Sequence, residues 1–295
     1  MIHDEANEKE LNINYHIEIL EIKIKASSNN LNVRNRIMSQ SQPPSILPSN
    51  ISKTFDILEW SEIEIARQLT LTTYFLFKNI RIEEFFSQKF NKEDKNINSP
   101  NIIKMIERFN NLTYWIVEEI LSYDHKKTRS KVIFKFLKIA KECQKINNFN
   151  DSNNIFMTLK LLVFPLKKTM ELVHKNSEAD CIYNELDSLF SLDKNYANLR
   201  KEIKCVSKKA CIPFLPLILN DLSKQEEKPN YIKENDLINV DKINKVGQIL
   251  EEILEFQNNH YDYVPVLKLS FLSDPKPKKQ ETLDKIAKHL GKINI

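Results

Sequence analysis

The residues of this chain that could do covalent chemistry are not arranged to do it. The six histidines, His3, His16, His125, His174, His260 and His289, form no H-E-x-x-H pair and no other two-ligand spacing. Cys143, Cys181, Cys205 and Cys211 include no C-x-x-C, so neither a thiolate metal site nor a redox dithiol is spelled out. The chain of 295 residues has only 2 glycines, Gly247 and Gly291. Neither a G-x-x-x-x-G-K-[ST] phosphate loop nor a G-x-G-x-x-G dinucleotide turn can be built from them. No G-x-S-x-G elbow occurs. The neighbouring carboxylates Glu83-Glu84, Glu118-Glu119, Glu226-Glu227 and Glu251-Glu252 would diverge by about 100° on a helix. Adjacent residues therefore cannot flank one bond as acid and base, and most of these pairs are expected to be solvated. No cofactor and no metal is expected, and no bond-breaking enzyme.

The elements that would position these residues are helical. Ile65, Leu69, Leu76 and Ile80 recur at helical spacing over residues 62–80. Ser99-Pro100 starts a second helix, with the proline where its missing N–H does no harm. Its stripe is Ile102, Met105, Ile106, Phe109, Leu112, Ile116 and Ile120. Ile133, Phe136, Leu137 and Ala140 continue the pattern, as do Ile182, Leu186 and Leu189. A dense apolar stretch, Cys211 to Leu222, then runs into the polar Ser223 to Asn230 and on to an amphipathic helix over 241–257. Helix, polar turn and helix give an α-hairpin. Strand-like alternation is absent between 53 and 260, so the main body is expected to be all-α.

Outside that body the patterns are weaker. Leu11, Ile13, Tyr15, Ile17 and Ile19 alternate as in a strand. A lone strand has no sheet to join, and abundant Asn and Ile account for the alternation. The expected organisation is an N-terminal extension and linker over 1–52, poorly ordered or partly extended, a helical domain over 53–272, and a basic tail over 273–295 with a short helix over 281–290. The formal net charge is only +4. Without clustered basic and aromatic residues, nucleic-acid binding is not expected. No apolar run reaches the roughly 18 residues of a transmembrane segment. The first residues, Met1 to Glu5, lack the basic-then-apolar pattern of a signal peptide. The expected location is cytoplasmic.

Several blocks, taken in order, resemble the catalytic domain of the Ras-type guanine-nucleotide exchange factors, the RasGEF domain, over about residues 55–272. They are Phe55 to Leu58 with Glu64 to Leu71, Asn98 to Ile102 with Phe109 to Trp115, and Arg129 leading to Asn147-Asn148-Phe149-Asn150. Leu166 to Thr169, Asn195 to Arg200, Cys211 to Leu215 and Leu237 to Asn239 complete the set. The resemblance implies an all-α, bowl-like domain from which a helical hairpin protrudes. It implies a Ras-family small GTPase as partner, with GDP released when the hairpin enters beside switch I and the central groove holds switch II. It also implies recruitment to the inner face of the plasma membrane through that GTPase.

By the same resemblance, Leu219, Asn220, Asp221, Ser223, Glu226 and Glu227 belong to the hairpin surface that approaches the nucleotide. Tyr196, Glu107, Asn110 and Asn111 line the groove that meets the GTPase. Phe214, Arg129 and Asn150 support the hairpin. The chain departs from the family at Pro216, which replaces a usual glycine and is tolerable only in a first helical turn. It departs again at Lys228-Pro229, where the tip is one residue short. Those departures motivate the alternative of an exchange-inactive module that binds the GTPase through the same fold.

Overall fold

The computed structural model describes residues 43–48, 55–206, 209–232, 237–273 and 275. The alternating segment near the N-terminus, the basic tail and its expected short helix lie outside the described residues. The described chain is all-α. In order come α1 (Glu62–Lys78), two 3₁₀ segments (Ile82–Glu84 and Phe86–Asn91), α2 (Lys95–Asn98), α3 (Pro100–Leu121) and α4 (Lys126–Lys145). Then follow α5 (Phe149–Leu162), α6 (Lys167–His174), α7 (Ser177–Leu189), α8 (Ala197–Cys205) and α9 (Leu215–Glu226). β1 (Tyr231–Ile232) and β2 (Leu237–Ile238) precede α10 (Val240–Asn258), and a 3₁₀ segment spans Leu267–Ser273. Among the described residues, the sheet is this one antiparallel pair, between stretches too short to show alternation in sequence.

The apolar stripes become two cores. The larger joins α1, α3, α4, α5, α6, α7 and α8 through residues such as Leu69, Ile116, Phe136, Phe156, Leu186 and Leu199. The smaller joins the end of α1, the 3₁₀ segments and the start of α3 to the hairpin, through Phe77, Phe85, Ile102, Ile212, Leu222 and Ile253. α5 sits at the centre and is buried almost all round, even at Asn150, Asp151, Ser152, Asn153 and Asn154. A polar stretch can be buried when its groups find partners. The Ser152 hydroxyl donates to the Ala140 carbonyl at 2.8 Å, and the Asn154 amide donates to that of Phe109 at 2.8 Å.

Glu84 departs from the expectation of a solvated carboxylate. It is fully buried, because it caps α3 from outside that helix. Its carboxylate accepts from the Asn101 and Ile102 backbone N–H groups at 2.8 and 3.2 Å and from the Asn101 amide at 2.6 Å. The first N–H groups of a helix have no partner within it, and an anion there also meets the favourable end of the helix dipole.

Candidate functional site: a clamped helical hairpin

The hairpin formed by α9 and α10 is fixed at its base by the start of α5. Asn147 adopts a left-handed backbone with φ of 62°, which turns the chain sharply before α5. The Asn147 carbonyl accepts from the Ile212 N–H at 2.9 Å, and the Phe149 N–H donates to the Ile212 carbonyl at 3.0 Å. The Asn147 amide donates to the Ala210 carbonyl at 3.1 Å. The Asn148 side chain accepts from the Asp151 N–H at 3.0 Å, which caps α5. It also donates to the Thr70 hydroxyl and the Asp151 carboxylate, both at 2.8 Å, and Thr73 donates to Asp151 at 2.6 Å. Asn150 reaches the hairpin itself, accepting from the Leu215 N–H at 3.4 Å. The Asn147–Asn150 tetrapeptide is thus a clamp on residues 210–215.

Above the clamp, Phe214 is the residue before α9, and Leu215 and Pro216 open its first turn. The proline therefore breaks no helical hydrogen bond, and the departure from glycine is accommodated. Phe214 is buried in the larger core, with its ring centroid 5.8 Å from that of Tyr196. Cys211 is buried in the same core, and burial pushes its thiol up to about 12. A neutral thiol in such surroundings is inert packing.

At the tip, Lys242 of α10 does what the sequence did not announce. Its ammonium donates to the Lys228 carbonyl at 3.0 Å and the Asn230 side chain at 2.7 Å, and lies 3.2 Å from the Glu226 carboxylate. It also reaches the Glu226 carbonyl at 3.4 Å, so one cation closes the C-terminal end of α9. Asn239 caps α10 by accepting from the Lys242 N–H at 3.1 Å and donates to the Pro229 carbonyl at 3.0 Å. Glu226 is accordingly engaged and half-buried, whereas Glu227 is exposed.

α9 presents two different faces. One face borders a cavity of about 450 Å³ lined by Asn110, Asn150, Leu219, Asn220 and Ser223, together with Met105 and Phe109. Glu107 is exposed one turn before Asn110 on α3, and Asn111 is half-buried beside it. The other face carries Asp221, which does not join that group. Its two carboxylate oxygens accept from the Arg200 guanidinium at 2.7 and 2.8 Å. Tyr196 lies toward this second side, against Phe214, and does not line the first cavity. Arg129 stands apart from the hairpin. It donates to the Tyr123 and Asp124 carbonyls at 3.0 and 3.1 Å, and from the first turn of α4 it closes the turn between α3 and α4.

Three exposed apolar residues also went unread in the sequence. Leu161 is 69% exposed, Phe164 81% and Leu192 66%. The Lys160–Asp187 ion pair, at 2.6 Å, draws the end of α5 toward the end of α7, near the Leu192 turn. Leu161 lies at the end of a helix buried almost all round, and Phe164 and Leu192 lie between helices, so no apolar stripe marks any of the three in sequence.

A model of the RasGEF domain family matches residues 64–244. The chain is 38% identical over 226 residues to Ras guanine nucleotide exchange factor Q of Dictyostelium discoideum, covering 74% of this chain and 17% of that protein. It is 36% identical over 237 residues to Ras guanine nucleotide exchange factor J of the same organism, covering 78% of this chain and 28% of that protein. Against the Ras-specific guanine nucleotide-releasing factor 1 of Rattus norvegicus it is 34% identical over 220 residues, covering 74% of this chain and 17% of that protein. The chain spans less than a third of the length of each of these relatives.

Proposed function

Since the chain belongs to the RasGEF domain family, we propose that it binds a Ras-family small GTPase and promotes release of GDP by inserting the α9–α10 hairpin beside switch I. The observation that carries this reading is the hairpin itself, clamped at its base by Asn147–Asn150 and closed at its tip by Lys242. A wedge must hold its shape against the surface it opens, and this one is held at both ends.

In this reading the partner docks along the surface bounded by Glu107, Asn110, Asn111 and Tyr196. Leu219 and Ser223 then face the nucleotide site from α9. Glu227, exposed at the end of α9, brings a carboxylate toward the phosphates and disfavours their return. Exchange requires only differential binding: the domain must hold the nucleotide-free GTPase more tightly than the loaded one. No covalent step is needed.

The test is release of a fluorescent GDP analogue from purified Ras, Rap, Ral and Rho proteins in the presence of the chain. Faster release from at least one Ras-family member is expected. No acceleration from any of them overturns the proposal, and a stable complex without acceleration selects the exchange-inactive binding module instead.

A further inference from the structure

The guanidinium of Arg200 connects two parts of the surface that the exchange reading treats separately. Its Nη1 and Nη2 donate to the two oxygens of Asp221 on α9, at 2.7 and 2.8 Å, while its Nε donates to the Asn195 carbonyl at 2.8 Å. The fork and the third donor are thus all engaged, a geometry that lysine cannot reproduce. The Asn195 end is a strained one. Lys194, Asn195 and Tyr196 are consecutive non-glycine residues with left-handed φ of 48°, 58° and 61°. Such a run is sterically disfavoured and persists only where its surroundings hold it.

α8 and its preceding turn therefore meet the first hairpin helix twice: at the base, where Tyr196 packs on Phe214, and two turns along, where Arg200 grips Asp221. One contact would fix a pivot, and two separated by about 10 Å along a helix fix an angle. Between α8 and the hairpin lies a cavity of about 320 Å³, bordered by Lys204, Leu217, Ile218, Ile249 and Phe256 as well as Arg200. The hairpin has room to tilt on that side once the fork opens. The pair itself is partly solvated, with side chains 34% and 22% exposed, so it adds little to overall stability.

We propose that Arg200 is a positioning residue that couples the strained turn carrying Tyr196 to the angle of the hairpin, so that a partner seated on Tyr196 sets the wedge. This rests on the exchange reading above for its functional consequence, but the brace can be measured without any GTPase. Spin labels on native Cys181 and on Lys224→Cys, with Cys205→Ser, report the hairpin's distance from α7 in the full chain. The unmodified fork should give one narrow distance distribution. Arg200→Ala and Arg200→Lys should both broaden it, with the melting temperature within about 2 °C of the parent. In exchange assays both should lower the rate at saturating domain about tenfold or more, while changing the half-saturating concentration less than twofold. An unbroadened distribution in both variants overturns the proposal, whatever the exchange data show. Broadened distances with an unchanged saturating rate also overturn it. If the unmodified chain accelerates no GTPase, the function proposed above fails, and the distances still decide the brace.

Discussion

Glu226 and Glu227 are neighbours in sequence with different work in the fold. Glu227→Ala should lower the exchange rate and leave the melting temperature unmoved, because its side chain is exposed before docking. Glu226→Ala removes a partner from Lys242, which is only 7% exposed but keeps the Lys228 carbonyl and the Asn230 side chain. A loss of about 1 kcal/mol is expected, read by thermal or denaturant unfolding. Phe214→Ala, by contrast, empties a buried aromatic site and should cost roughly 3–5 kcal/mol, with exchange falling in step. Tyr196→Ala should leave folding largely intact and weaken capture of nucleotide-free GTPase by about 2 kcal/mol, measured by titration of the complex. The thiols offer a check independent of function. Cys181 and Cys205 are exposed and Cys143 and Cys211 buried, so alkylation of the native chain should modify only the first two, and all four after unfolding.

At the scale of elements, periodicity found the helices whose apolar stripes face a core and missed what polar chemistry decides. α3 was legible from Ile102 to Ile120, and the hairpin from a dense apolar run ending in polar residues. α5 was not legible as a core helix, because Asn150 to Asn154 carry no stripe and are buried through hydrogen bonds to partners far along the chain. The same holds for Lys242. A lysine on an amphipathic helix reads as solvated, and only the fold places four oxygen-bearing groups of the tip around it. Motif resemblance grouped Asp221 with Leu219 and Ser223 because they are close in sequence. Positions two apart on a helix point about 200° from one another, so Asp221 faces Arg200 while the others face α3. Lys242→Met should test the element directly. It keeps the packed stem and removes the charge, so the last turn of α9 should fray. Amide exchange over residues 223–228 should rise, with little change at the hairpin base.

For the molecule as a whole, the clamp between Asn147–Asn150 and Ala210–Leu215 has a consequence for how the chain is assembled. Its partners are some 65 residues apart, as in the Asn150–Leu215 bond. During synthesis α1 to α8 leave the ribosome before the segment that the clamp holds. Until that segment arrives, the Asn147 carbonyl and the Phe149 N–H have no partner from it, although Phe149 is fully buried in the larger core and Asn147 is half-buried beside it. Buried groups left in that state are costly, so a fragment ending at residue 206 should be an open intermediate. Addition of the hairpin, and of the Leu267–Ser273 segment that follows it into the larger core, would then close the domain in one cooperative step. The amides of Phe149 and Ile212 should exchange only with global unfolding, while those of the hairpin tip open in smaller fluctuations. The part proposed to do the mechanical work would be made after the helices that root it, and would be the first to loosen.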